Sequence, residues 1–147
     1  DLPQQAIDVR DFAAWIVSAA QRGIVGTMNV VGEQRTLAEV IAASAVIAGF
    51  AGRVVSVPPD WLAAHRVEPW MGPRSLPLWL PLPEYAGFAA RVGELAVASG
   101  IRRRPLENTI RDSLACEREL GLERERRAGL TRREELALIG AWENPGG

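Results

Sequence analysis

Sixteen residues in the middle of the chain, EPWMGPRSLPLWLPLP (68–83), hold five of its ten prolines and two of its five tryptophans. Proline fixes φ and lacks a backbone donor, so the stretch can be neither helix nor central strand. Two indoles are too apolar to be left in water without a partner. The rest of the chain must therefore fold around a stiff aromatic loop. As structure, Trp70 and Trp79 would cap a core that the flanking elements leave open. As function, the loop would wall a ligand cleft, because a rigid wall loses little entropy on binding.

The elements on either side are legible as patterns. AIDV (6–9) reads as a short strand. Asp11 reads as the N-cap of a helix over 12–22 with Phe12, Trp15, Ile16 and Ala19 on its inner face, and Gly23 as its C′ residue. GTMNVVG (26–32) and RVVSV (53–57) read as strands. Thr36 and Glu39 form a capping box for a helix over 37–50, whose Leu37, Val40, Ile41, Ile47 and Ala48 are its expected buried face. A short helix is expected over 60–66. Beyond the loop, helices are expected over 91–99, closed by Gly100, over 105–120, with Leu106, Ile110 and Leu114 on one stripe, and from the Thr131/Glu134 capping box to Trp142.

Short strands alternating with helices, followed by a mostly helical half, indicate an α/β chain. At 147 residues it reads as one lobe in three parts: an α/β part to residue 66, the Pro/Trp loop over 67–90, and a helical part over 91–143.

Charge and composition exclude several functions. All seventeen basic residues are arginine, so no Schiff base, P-loop lysine or Tyr-x-x-x-Lys pair exists here. Net charge is −1 and the run over 117–135 mixes signs closely, which argues against a nucleic-acid surface. No apolar run is long enough to span a bilayer. His65 stands alone, with no partners at metal-ligand spacing. Cys116, the one cysteine, excludes an internal disulfide, fits a cytoplasmic location, and sits beside Glu117, which disfavours a thiolate. The glycines at 23, 26 and 32 fail the dinucleotide fingerprint, because Gly26 precedes an expected strand and opens no helix. IRRRP (101–105) is either a solvated loop or a holder for a carboxylate or phosphate.

Taken in order, these motifs resemble the second half of the NAD-dependent epimerase/dehydratase family, the extended short-chain dehydrogenases, and its reductase-like branch. IDVRDFAAWIV is similar to a strand-to-helix step of that family, GTMNVVG to the following strand, and TLAEVI to the helix after it. LAVASGIRRRPLENTIRDSL resembles the late step into a helix; VEPW, LPLWLP and AGLTRREELALIGAW complete the resemblance, which runs from about Gln4 to Trp142. It departs at Cys116, where the family pattern has tryptophan.

The resemblance implies a Rossmann-like fold of which this chain is the C-terminal, substrate-binding part. The missing Rossmann half would supply the Gly-rich loop, the Tyr-x-x-x-Lys pair and the NAD or NADP, so no catalytic residue is assigned here and no cofactor is held by this chain alone. Trp70, Met71, Arg74 and Trp79 are the expected substrate-binding residues, with Arg104 for an anionic group of a small-molecule substrate. Asp8, Arg10 and Asp11 are expected to pack and cap. A chain without its partner half would expose a strand edge and an apolar face at 26–32 and form homo-oligomers or aggregate. The competing expectation is a non-catalytic small-molecule or protein-binding module, or an oligomerisation element.

Overall fold

The computed structural model describes residues 2–144. In chain order the elements are β1 (Pro3–Gln5), α1 (Val9–Gln21), β2 (Gln34–Thr36), α2 (Leu37–Ala48), α3 (Pro59–Ala64), β3 (Glu68–Pro69), β4 (Ser75–Leu76), α4 (Glu94–Ala98), α5 (Leu106–Leu120) and α6 (Arg132–Glu143). This is a mixed α/β arrangement of helices and very short strands. It divides into two compact units that alternate along the sequence. Unit 1 takes the chain up to Phe50 together with Ala86–Leu122; unit 2 takes Ala51–Tyr85 together with the chain from Glu123.

In unit 1, β1 and β2 pair antiparallel, Pro3 opposite Thr36 and Gln5 opposite Gln34. The Thr36/Glu39 capping box starts α2 as its sequence requires, and α2 packs on α5. Leu106, Ile110 and Leu114 are half-buried along one stripe of α5. Helix α1 ends in a Schellman motif with Gly23 in the left-handed region: Gly23 N–H donates to Ala20 O and Ile24 N–H to Ala19 O. The same 5→2 and 6→1 pattern closes α4 at Gly100.

Several expectations for the helices and strands before residue 58 are corrected. The cap of α1 is Asp8, whose side chain accepts from Arg10 N–H, so the helix starts at Val9 and consumes the end of the expected strand at 6–9. Residues 26–32 and 53–57 form no strands, because a strand needs a neighbour to hydrogen-bond with and no described segment offers one. Gly32 instead lies against residue 6, where a Cβ would come within 1.7 Å of the Ala6 carbonyl oxygen. Nor does α2 have a fully buried residue: Leu37, Val40, Ile41 and Ile47 are half-buried and Ala48 is exposed. On α1, Ala19 is buried and Trp15 half-buried, but Phe12 and Ile16 face outward with Val9 and Val17.

In unit 2, α3 also ends in a Schellman motif, with Arg66 N–H donating to Ala63 O and Val67 N–H to Leu62 O. The left-handed residue there is Arg66, where glycine is usual. Leu62 and Val67, the pair such a motif brings together, are both buried and form the core of the unit with Trp79 and Leu138. Trp61 stacks on His65 at 3.7 Å between ring centres, and Trp142 of α6 meets Trp61 edge-on at 5.4 Å. The Thr131/Glu134 capping box starts α6.

Candidate functional site: the Pro/Trp loop

Strands β3 and β4 pair in parallel, Glu68 opposite Ser75 and Pro69 opposite Leu76, with only five residues between them. Parallel neighbours normally need a crossover of about a dozen residues or more. Here the chain makes the return by left-handed backbone at Trp70 (φ 64), Gly72 (φ 86) and Arg74 (φ 54). Glycine adopts this conformation freely. Tryptophan and arginine do so at a cost of about 1–3 kcal/mol each, and such residues concentrate at functional sites. With Arg66, they are the non-glycine residues with positive φ among the described residues.

The strained return is fixed from several sides. Trp70 N–H donates to Trp79 O at 3.1 Å and lies 3.3 Å from Leu76 O. Met71 N–H reaches back to Pro69 O at 2.8 Å. Ser75, fully buried, donates its hydroxyl to Gly72 O at 2.7 Å and accepts Gly129 N–H at 3.0 Å. Two nitrogens of the Arg74 guanidinium, Nε and Nη2, donate to the His65 carbonyl at 3.3 and 3.1 Å, while Nη1 reaches Glu134 at 3.4 Å. Glu134 is also held below the usual carboxylate range, chiefly by the Thr131 N–H and hydroxyl and then by Arg74. His65 donates Nδ1–H to Trp61 O at 2.8 Å, which sets its tautomer.

The four residues expected from this loop thus divide in role. Trp79 is 6% exposed and belongs to the core. Arg74 is half-buried and braces α3 and α6. Trp70 and Met71, at 38% and 66% exposure, are the side chains the loop presents outward. Ser75 was not among the expected residues; its only sequence signal is a small hydroxyl among prolines.

Arg104 lies in unit 1, in a network at the start of α1. Its Nε and Nη2 donate to Asp11 Oδ1 at 2.8 and 2.6 Å, its backbone N–H to Asp11 Oδ2 at 2.8 Å, and its Nε is 3.6 Å from Asp8. Asp8 accepts from the backbone and guanidinium of Arg10 and from the Thr109 hydroxyl at 2.8 Å, and Arg10 continues to Asp112 of α5 at 2.6 Å. The Arg10 hydrogen bonds hold the buried Asp8 carboxyl well below its ordinary range against the opposing effect of burial; Arg104 does the same for Asp11. The arginine expected to meet an anionic ligand therefore meets carboxylates of this chain and ties α1 to the start of α5. Asp8, Arg10 and Asp11 act as packing and capping groups.

A hollow of about 240 Å³ beside β2 is lined by Pro3, Gln34, Arg35, Thr36 and Glu39, and holds none of the expected residues. No cluster of three or more His, Cys, Asp or Glu able to hold a metal occurs among the described residues. None of their helices is long and apolar enough to cross a membrane. Cys116 is exposed. The residues present do not fit a nicotinamide nucleotide: Tyr85 has no lysine four residues on, and Gly26, at φ 125, opens no helix. No family model, curated protein or solved structure matches the chain.

Proposed function

We propose that this chain is the substrate-binding portion of an NAD(P)-dependent oxidoreductase or epimerase acting on a small molecule, not catalytic by itself. The observation that carries the binding role is the return at 68–76, where a frame anchored by buried Ser75 and Trp79 holds Trp70 and Met71 outward. A backbone kept in left-handed geometry at Trp70 and Arg74, and rigid before any ligand arrives, is suited to forming one wall of a cleft. The oxidoreductase class rests on the order of motifs from IDVRDFAAWIV to AGLTRREELALIGAW. In this reading a Rossmann half brings the Gly-rich loop, the Tyr-x-x-x-Lys pair and the NAD or NADP, and covers the apolar face of α1.

The test is the coding frame upstream of Asp1 and the product it encodes. A Gly-rich strand–helix turn and a Tyr-x-x-x-Lys in that frame support the reading, and in that product Trp70→Ala should raise KM for the substrate about tenfold or more. An upstream frame lacking both motifs removes the oxidoreductase reading.

A second reading is a non-catalytic binding or oligomerisation module. It is favoured by the outward apolar residues of α1, with Val9 73%, Ile16 46% and Val17 57% exposed. Sedimentation showing a concentration-dependent mass that Ile16→Asp abolishes would favour self-association through that face.

A further inference from the structure

We infer that Arg103 holds an oxyanion, the carboxylate or phosphate of a small molecule, in unit 1. The three arginines of IRRRP have different surroundings. Arg104 is bound to Asp11, and Arg102 is exposed. Arg103 is half-buried and folds over Gly93: a Cβ there would come within 2.8 Å of its Nη2, 3.0 Å of Val31 and 3.4 Å of the Asn29 carbonyl oxygen. The missing side chain of Gly93 is what makes room for the guanidinium.

Arg103 has no ion pair among the described residues, and its Nε is buried with no hydrogen-bond partner. Buried donors in native proteins are nearly always satisfied, so an orphaned one on a permanently charged group points to a missing partner. The surrounding charge fixes the sign of that partner. Between Ala89 and Leu106, with Arg104 neutralised by Asp11, the chain still carries Arg91, Arg102 and Arg103 against the single acid Glu94. A planar fork of N–H donors matches two oxygens of a carboxylate or phosphate better than a single-point acceptor such as chloride. This site lies in unit 1 and does not depend on the loop at 68–76, so either can fail without the other.

The experiment follows the arginine Nε–H resonances of the ¹⁵N-labelled chain while inorganic phosphate, acetate or sodium chloride is added at constant ionic strength. The expected result is a saturable shift of one Nε–H resonance, with a Kd of about 1 mM or tighter, with phosphate or acetate and not with chloride. A response to phosphate alone assigns a phosphate ligand; a response to both assigns a general oxyanion site. Arg103→Lys, which keeps the charge and loses the fork, should abolish the response, and Arg102→Gln should keep it. Gly93→Ala, compatible with the backbone there (φ −111) but in conflict with the guanidinium, should abolish it independently. No saturable shift with either oxyanion, or a response that survives Gly93→Ala or Arg103→Lys, would overturn the assignment.

Discussion

Arg104 and Asp11 lie 93 positions apart and meet at three points, two from the guanidinium and one from the Arg104 backbone N–H. The backbone contact matters most for geometry, because it fixes the main chain just before Pro105 and thereby the entry into α5. A carboxylate bonded in this way by charged and backbone donors, with little solvent of its own, contributes more than an exposed surface pair.

Replacing Asp11 with Ala should therefore destabilise the chain by about 2 kcal/mol in urea denaturation. Adding Arg104→Gln to that variant should cost little more, because the two side chains act through one another. Fully additive costs would mean that the pair contributes through separate contacts.

Acid should loosen the same junction. Asp8 and Asp11 both have folded-state pKa values below their ordinary ones, Asp8 mainly through Arg10 and Asp11 mainly through Arg104. Such carboxylates bind protons more readily when unfolded. Their contribution is fully present above the unfolded value of about 4 and is lost as pH falls below it toward the folded values. Unfolding free energy should decline steadily on acidification below about pH 4. Asp8→Asn, less stable at neutral pH by about 1–2 kcal/mol through the weakened network, should show a shallower decline. Parallel pH curves for the two proteins would contradict the role given to Asp8.

What was legible from the sequence is what short-range chemistry decides. Thr36/Glu39 and Thr131/Glu134 place both capping boxes because each box closes within four residues. Gly23 and Gly100 mark their helix ends because glycine alone adopts left-handed backbone without penalty. Arg66 performs the same job at the end of α3 and carries no such mark; the burial of Leu62 and Val67 compensates there, which no local pattern reveals. Asp8 and Asp11 are three residues apart around the start of one helix, and by sequence alone either fits an N-cap. Thr109 and Arg104, a hundred residues on, separate their roles. The expected strands at 26–32 and 53–57 failed for a related reason: apolar runs supply faces, but a ladder needs a neighbour. In the loop, proline content excluded helix and central strand, and what forms there is the pair of two-residue strands β3 and β4. Composition does not mark Trp79 as buried and Trp70 as exposed, nor Ser75 as the hydroxyl that bonds Gly72 and Gly129.

Ser75 should therefore matter more than its size suggests. Ser75→Ala removes the shorter of two acceptors of Gly129 N–H, the other being Gly72 O at 3.3 Å, and the donor to Gly72 O at a fully buried position, at an expected cost of about 1–3 kcal/mol. Hydrogen exchange reads the effect locally, since the Gly129 amide should lose protection more than amides of α5. Unchanged protection at Gly129 would show that its contact with Gly72 O suffices alone.

The two tryptophans of the loop should differ sharply in what their replacement costs the fold. Trp79 is buried in the core of unit 2, and Trp79→Ala should cost about 3–5 kcal/mol by leaving a cavity the prolines cannot collapse into. Trp70 is held at φ 64, a conformation that glycine adopts without strain. Trp70→Gly should therefore recover about 1 kcal/mol of backbone strain, offsetting the contacts of a ring already more than a third exposed. The melting temperature should change little, whereas binding through this loop should be lost. A large fall in melting temperature for Trp70→Gly would instead make Trp70 a structural anchor like Trp79 and move the binding role to Met71.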